Sequence, residues 1–271
     1  MDNFKNFLLL LWGAFFVFII FQIISYFRYL QKLKKLKSTP FPKNLKKYIE
    51  NLPQYQKLNE KQKRILEYKI QRFLLEKNFI PVNINLNDEI KTLIAFYACL
   101  PSIAYIDFCY PNLKNIYIYP HPVILKNLQN GYVVQEEEII EGEATGENVI
   151  IAWDEAKKEI HHPNFRNVII HEFAHQLDAA DGVIDGIPPI ETSKYNEWVK
   201  IMFGEYKKFK QKTLKNRFLG KFSLIDKYAA TNEAEFFAVM SEYYFMKPQI
   251  LKKHFPDIYK ELKNFYKIEF I

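Results

Sequence analysis

The hydrophobic pattern divides the chain near residue 28. Phe7 to Phe27 carries no charge, and only Gly13, Gln22 and Ser25 interrupt its apolar side chains. At helical rise these residues reach about 30 Å, the hydrocarbon thickness of a bilayer. A cleaved secretory signal has a shorter apolar core and a small-residue cleavage site, and Ile24-Ser25-Tyr26-Phe27-Arg28-Tyr29 offers neither. The pattern therefore predicts a short tail (1–6) and one transmembrane helix (7–27). Ser38-Thr39-Pro40-Phe41-Pro42 breaks any continuing helix within a basic linker (28–47), and a folded domain is expected over 48–271.

In that domain the period of the apolar positions changes twice. From Asn59, Ile65, Leu66, Ile70, Phe73 and Leu74 recur at helical spacing, and a second helix is expected over Asp88–Leu100, before Pro101. Strand patterns follow at 115–120, 131–135 and 148–153, with the acidic stretch Glu136–Glu143 read as a solvated strand or loop. The remainder reads as helix: one from an Asn164 N-cap to a stop at Asp181-Gly182, then Ser193–Gln211, Asn232–Phe245, a short piece near Gln249, and Asp257–Tyr266. One α+β domain, mainly helical with a small mixed sheet, fits this order better than two. The strand ending at Ile151-Ala152-Trp153 is the candidate to pair with an extended peptide by strand addition.

Charge changes the picture in one place. The formal charge is +7, residues 1–27 sum to zero, and residues 28–47 carry eight bases and no acid, leaving −1 for the domain. A near-neutral domain lacks the electrostatic footprint of a nucleic-acid binder, so no nucleic-acid partner is expected. Bases just after a span stay on the cytoplasmic side, which places the domain on the cytoplasmic face of the inner membrane as a single-pass protein. The basic run serves either as a stop signal and solvated linker or as a contact to anionic headgroups. The two cysteines, Cys99 and Cys109, form no C-x-x-C and read as buried thiols.

The candidate chemistry lies in Val168-Ile-Ile-His-Glu-Phe-Ala-His-Gln-Leu-Asp178. Residues four apart share a helix face, so His171 and His175 can reach one metal ion, and Glu172 stands beside them to take a proton from water. The bland alternative is a helix with two satisfied histidines and a solvated glutamate. A catalytic zinc site usually takes three protein ligands. A third His at the metzincin spacing is absent, because Gln176-Leu-Asp178 is followed by Ala-Ala-Asp181. A carboxylate on a later helix would complete a gluzincin set. Glu235 and Glu242, seven apart on one otherwise apolar face, both qualify, although Glu235 could instead complete a capping box with Asn232. Asp178 could orient a ligand imidazole or hold a loop, and Glu242 could play either part. His121, His161, His162 and His254 are out of register with the motif and read as surface or loop residues.

Two blocks carry a resemblance. Asn164-Phe-Arg-Asn-Val-Ile-Ile-His-Glu-Phe-Ala-His-Gln-Leu-Asp178 with Asp185-Gly-Ile-Pro188, and Ile225-Asp-Lys-Tyr-Ala-Ala-Thr-Asn-Glu-Ala-Glu-Phe-Phe-Ala-Val-Met-Ser-Glu-Tyr-Tyr-Phe245, resemble the Mlc titration factor A family of zinc-dependent peptidases. Its catalytic domain is related to that of anthrax lethal factor. The resemblance runs from about Tyr48 to Tyr266 and implies a zincin-like fold holding one Zn2+ per chain. His171, His175 and Glu235 become the ligands, Glu172 the general base acting on a zinc-activated water, and Tyr228 the hydroxyl that assists at the transition state. It implies a peptide or protein substrate, admits aminopeptidase-like activity, and allows a regulatory protein partner. The N-terminal span departs from the family's usual soluble form. The alternative is a membrane-tethered regulator that binds a transcription regulator or other protein, with weak or vestigial peptidase activity.

Overall fold

The computed structural model describes residues 2–129, 132–140, 142–219 and 227–270. Two compact units emerge, residues 1–42 and 43–271. The first is dominated by a single helix, α1 (Asp2–Ser38), and its stretch Phe4–Ser38 is long and apolar enough to cross a membrane. The helix continues through the first bases of the stretch read as linker. It stops where Ser38 Oγ and Thr39 Oγ1 both donate to the carbonyl of Lys35, just ahead of Pro40. Hydroxyls that bond back into the last turn, followed by a proline, leave no route for further helix.

The second unit opens with two short turns, α2 (Lys43–Lys46) and α3 (Pro53–Gln56), before α4 (Glu60–Glu76). Asn59 and Gln62 cap α4 reciprocally, each side chain accepting the other's backbone N–H. Strand β1 (Asn78–Pro81), α5 (Asp88–Cys99) and β2 (Asn115–Tyr119) then form a β-α-β crossover, the connection that parallel neighbours require. A hairpin of β3 (Val123–Gln129) and β4 (Tyr132–Ile140) makes its own two-stranded sheet. Its second strand holds the first part of the acidic stretch, 136–140, and β5 (Gly142–Thr145) and β6 (Asn148–Ala152) come next in sequence. The main sheet has the order β1-β2-β6-β5, with β1, β2 and β6 parallel and β5 antiparallel, a mixed sheet as expected.

That order corrects the expected peptide-pairing strand. β6 is interior, hydrogen-bonded to β2 on one side and to β5 on the other, so its backbone groups are already used. The outermost strand on that side is β5, whose Gly-Glu-Ala-Thr sequence carries little strand signal.

Helix α6 (Trp153–His161) follows β6 directly and leads to α7 (Val168–Asp178), which bears the motif. Then come α8 (Thr192–Leu219), α9 (Glu233–Met246), α10 (Pro248–His254) and α11 (Pro256–Tyr266). Helix α7 is the hub: it packs on β5 and β6, on α5 and α6, and on α9. Its Ile169, Ile170, Phe173 and Ala174 are fully buried, and the Phe173 ring meets Phe73 at 5.5 Å and Tyr110 at 4.9 Å. Nearly all of α9 from Ala234 to Met246 is buried, as a helix apolar on every side should be.

The segment 100–114, which contributes Tyr110, is clamped by two buried lysines. Lys69 Nζ donates to the carbonyls of Tyr105 and Phe108, and Lys77 Nζ to those of Tyr110 and Leu113. Cys99 and Cys109 are free buried thiols, as expected.

After α7 a 3-10 turn (Ala179–Asp181) ends at Gly182 in left-handed conformation, and the loop beyond is pinned at Gly186. The Gly186 N–H donates to Asp178, its carbonyl accepts from Trp198 Nε1, and its Cα lies against the start of α9. A Cβ there would sit 2.6 Å from the Glu233 carbonyl oxygen, with φ at +82°, whereas Gly182, at φ +100°, has open space around it. Gly182→Ala should therefore cost about 1 kcal/mol of backbone strain. Gly186→Ala adds a collision with backbone and should cost at least about twice as much. Denaturant unfolding of the two variants checks the difference, and equal losses would contradict this packing.

Candidate metal centre

The N-terminus of α7 brings its first N–H groups into the interior, where they need acceptors. Three side chains supply them. Asn167 Oδ1 accepts from Ile170 N–H at 3.0 Å, Glu159 of α6 accepts from Val168 N–H at 2.7 Å, and Glu242 of α9 accepts from Asn167 N–H at 2.6 Å. Two carboxylates at the positive end of the helix dipole are well placed electrostatically. Asn167, and not the expected Asn164, is the cap. Asn164 Oδ1 is engaged two residues on by the N–H of Arg166, which makes it part of the turn leading into the helix.

This anchoring directs His171 and His175 toward α9, their rings 4.9 Å apart and nearly perpendicular. Glu235 meets both: its Oε2 lies 3.0 Å from His171 Nε2 and its Oε1 3.3 Å from His175 Nε2. One ligand atom from each of His171, His175 and Glu235 lies within 4.8 Å of the others, a group able to hold a metal ion. The Asn232 side chain does cap α9 through Glu235 N–H, at 2.8 Å, so the capping residue and the metal-ligand candidate share one helix start. Glu172 is buried on α7 beside His171. Tyr228 lies in the 3-10 turn Lys227–Ala230, and its side chain is outside the described residues.

The electrostatics follow from burial and close pairing. Burial by itself would lower the His171 pKa, but hydrogen bonds to Glu235 and Glu242 outweigh it and hold the imidazole well above its usual range. Burial would likewise raise Glu235, yet the hydrogen bonds to His171 and His175 bring it down to about 2. His175 Nδ1 is buried with no hydrogen-bond partner among the described residues.

Asp178 takes the second of its two expected roles. Its Oδ2 accepts from Gly186 N–H at 2.8 Å, so it holds the loop after the helix. Glu242 Oε1 accepts from His171 Nδ1 at 2.8 Å. Glu159 and Asn167 were missed as supporting residues. The spacing of Trp153, Ala156 and Ile160 marks the helix that carries Glu159, and Asn167 stands three before Ile170 as an N-cap should. His121, exposed and paired with Asp154, takes no part in this group, nor do His161, His162 and His254.

A cleft of about 500 Å³ opens along the flank of α7 just past the motif. Gln176, Ala179 and Ala180 line one wall, and Lys114, Gly146 and Glu147 another, next to the end of β5.

A family profile described as glucose-regulated metallo-peptidase M90 matches residues 27–267. An uncharacterised protein of Synechocystis is 37% identical over 232 residues, covering 81% of this chain and 82% of that one. Mlc titration factor A of Serratia proteamaculans is 26% identical, covering 80% of this chain and 84% of its own length. The protein of that name from Yersinia pestis is 27% identical, covering 80% and 82%.

Asp178 makes this region sensitive to pH. Burial pushes its carboxyl up to about 7, whereas an unfolded Asp titrates near about 4. The folded chain binds the extra proton between those values, so the contribution of Asp178 is full below about pH 4 and is lost as pH rises through 7. Asp178→Asn, neutral throughout, should gain stability relative to the parent chain between pH 5 and pH 8. Denaturation midpoints in the presence of a chelator test this, and a relative loss over that interval would contradict it.

Proposed function

The chain belongs to the glucose-regulated metallo-peptidase M90 family, and on that footing we propose that it is a membrane-anchored zinc peptidase of gluzincin type. The observation that carries the reading is the convergence of His171, His175 and Glu235 from two helices onto one point. Two imidazole nitrogens and a carboxylate oxygen suit zinc, with room left for water or substrate. When bound, zinc would supply Lewis-acid polarisation of the scissile carbonyl and make water acidic enough to be activated near neutral pH.

The chain's own residues divide the remaining work. Glu172 takes the proton of the attacking water and passes it to the departing amine. Its burial keeps the carboxylate out of bulk solvent. Tyr228 donates its hydroxyl to the oxyanion that develops on the substrate carbonyl. An extended peptide would pair with the outer edge of β5, the strand that packs on α7. Helix α1 is the single membrane span, and the bases that follow the apolar run hold the peptidase domain (48–271) at the cytoplasmic face of the inner membrane.

The relatives named Mlc titration factor A favour a second reading: a membrane-tethered protein that titrates a regulator by binding it, with weak peptidase activity. The two readings diverge at Glu172. The full chain, purified in detergent with zinc, is assayed on chromogenic aminoacyl and peptide substrates. Glu172→Gln should lower turnover by about 10²-fold or more while retaining the metal. Glu235→Ala should lose most of the zinc. Unchanged turnover in Glu172→Gln would contradict the peptidase reading and leave the binding reading standing.

A further inference from the structure

Helix α9 offers the metal helix two carboxylates, and only one of them belongs to the candidate ligand set. Glu235 and Glu242 lie seven residues apart on one face, about 10 Å along the axis. The His171 ring spans that gap. Its Nε2 faces Glu235 Oε2 at 3.0 Å and its Nδ1 faces Glu242 Oε1 at 2.8 Å, from opposite edges of the imidazole. The other oxygen of Glu242 accepts the Asn167 N–H at 2.6 Å, and the Asn167 carbonyl accepts the His171 N–H at 3.0 Å. One buried carboxylate therefore holds both the ring of His171 and, through Asn167, its backbone.

We propose that Glu242 is a positioning residue that presents His171 Nε2 to the metal and is not itself a ligand. This rests on the metal-site reading above. A neutral imidazole carries one N–H, and an acceptor fixed at Nδ1 keeps that hydrogen there, leaving the Nε2 lone pair aimed at the metal position. Both oxygens of Glu242 are committed, so its reaching the metal would forfeit the ring contact and the N-cap contact together. Phe165 stacks on Tyr243 at 4.7 Å and 10°, which ties the same segment to α9 through a contact separate from the Glu242 hydrogen bonds. That stack provides a control for mere loosening.

The test is zinc affinity of the full chain in detergent, by chelator competition, for the parent, Glu242→Gln, Glu242→Ala, Glu235→Ala and Phe165→Leu. Glu242→Gln should bind zinc about 10- to 100-fold more weakly, the range found for partners that orient a metal-bound histidine. Glu242→Ala should be weaker still, because the amide retains one acceptor for Nδ1–H. Phe165→Leu should lower the melting temperature of the metal-free chain and leave zinc affinity within about threefold. Parent-like affinity in both Glu242 variants, or an equal loss in Phe165→Leu, would overturn the proposal. So would a reversal in which Glu242→Ala abolishes binding and Glu235→Ala only weakens it. A parent chain that takes up no zinc overturns this proposal and the metal site alike, whereas zinc binding without turnover overturns only the peptidase reading.

Discussion

The fold depends on the contact between α7 and α9, where one imidazole is held between two carboxylates. Burying ionisable groups in an apolar interior is costly unless each has a close partner. Here His171 meets Glu235 and Glu242, His175 meets Glu235, and the second oxygen of Glu242 meets a backbone N–H. Each group is compensated by the others, so the arrangement tolerates little displacement. Removing one partner would strand a charge, a change that typically costs about 3–5 kcal/mol.

The surrounding structure serves that contact. The N-terminus of α7 is tied to α6 through Glu159 and to α9 through Glu242, and its C-terminus is tied through Asp178 to a glycine pressed against the start of α9. The apolar side of α7 rests on Phe73 and Tyr110, and the segment carrying Tyr110 is clamped by Lys69 and Lys77. Elements on every side thus fix the direction in which the two histidines point. β5, the outermost strand beside β6, also packs on α7.

Much of this was legible in the sequence because the decisive signals are local. The register of His171, Glu172 and His175, the long apolar run, and the periodicity of α4, α5 and α9 each depend on neighbours within a few turns. Long-range partners were less legible. Spacing favoured Glu235 over Glu242 without deciding between them, since the choice depends on how far α9 slides along α7, and resemblance sharpened the choice. Asp178 was undecided for the same reason, because its partner Gly186 lies across a loop. Strand β1, only four residues long, and helix α6, which starts where β6 ends, were absorbed into neighbouring patterns. The outer strand of the sheet was hidden because β6 has the valine and isoleucine of a strong strand while β5, beside it, has almost none.

The measurement that bears most directly on the contact between α7 and α9 is X-ray absorption at the zinc edge of the full chain. Two imidazoles and a carboxylate predict a first shell of nitrogen and oxygen at about 2.0–2.2 Å, with imidazole outer-shell scattering and no sulfur. A sulfur shell near about 2.3 Å, or an all-oxygen shell without imidazole, would contradict a centre built from His171, His175 and Glu235.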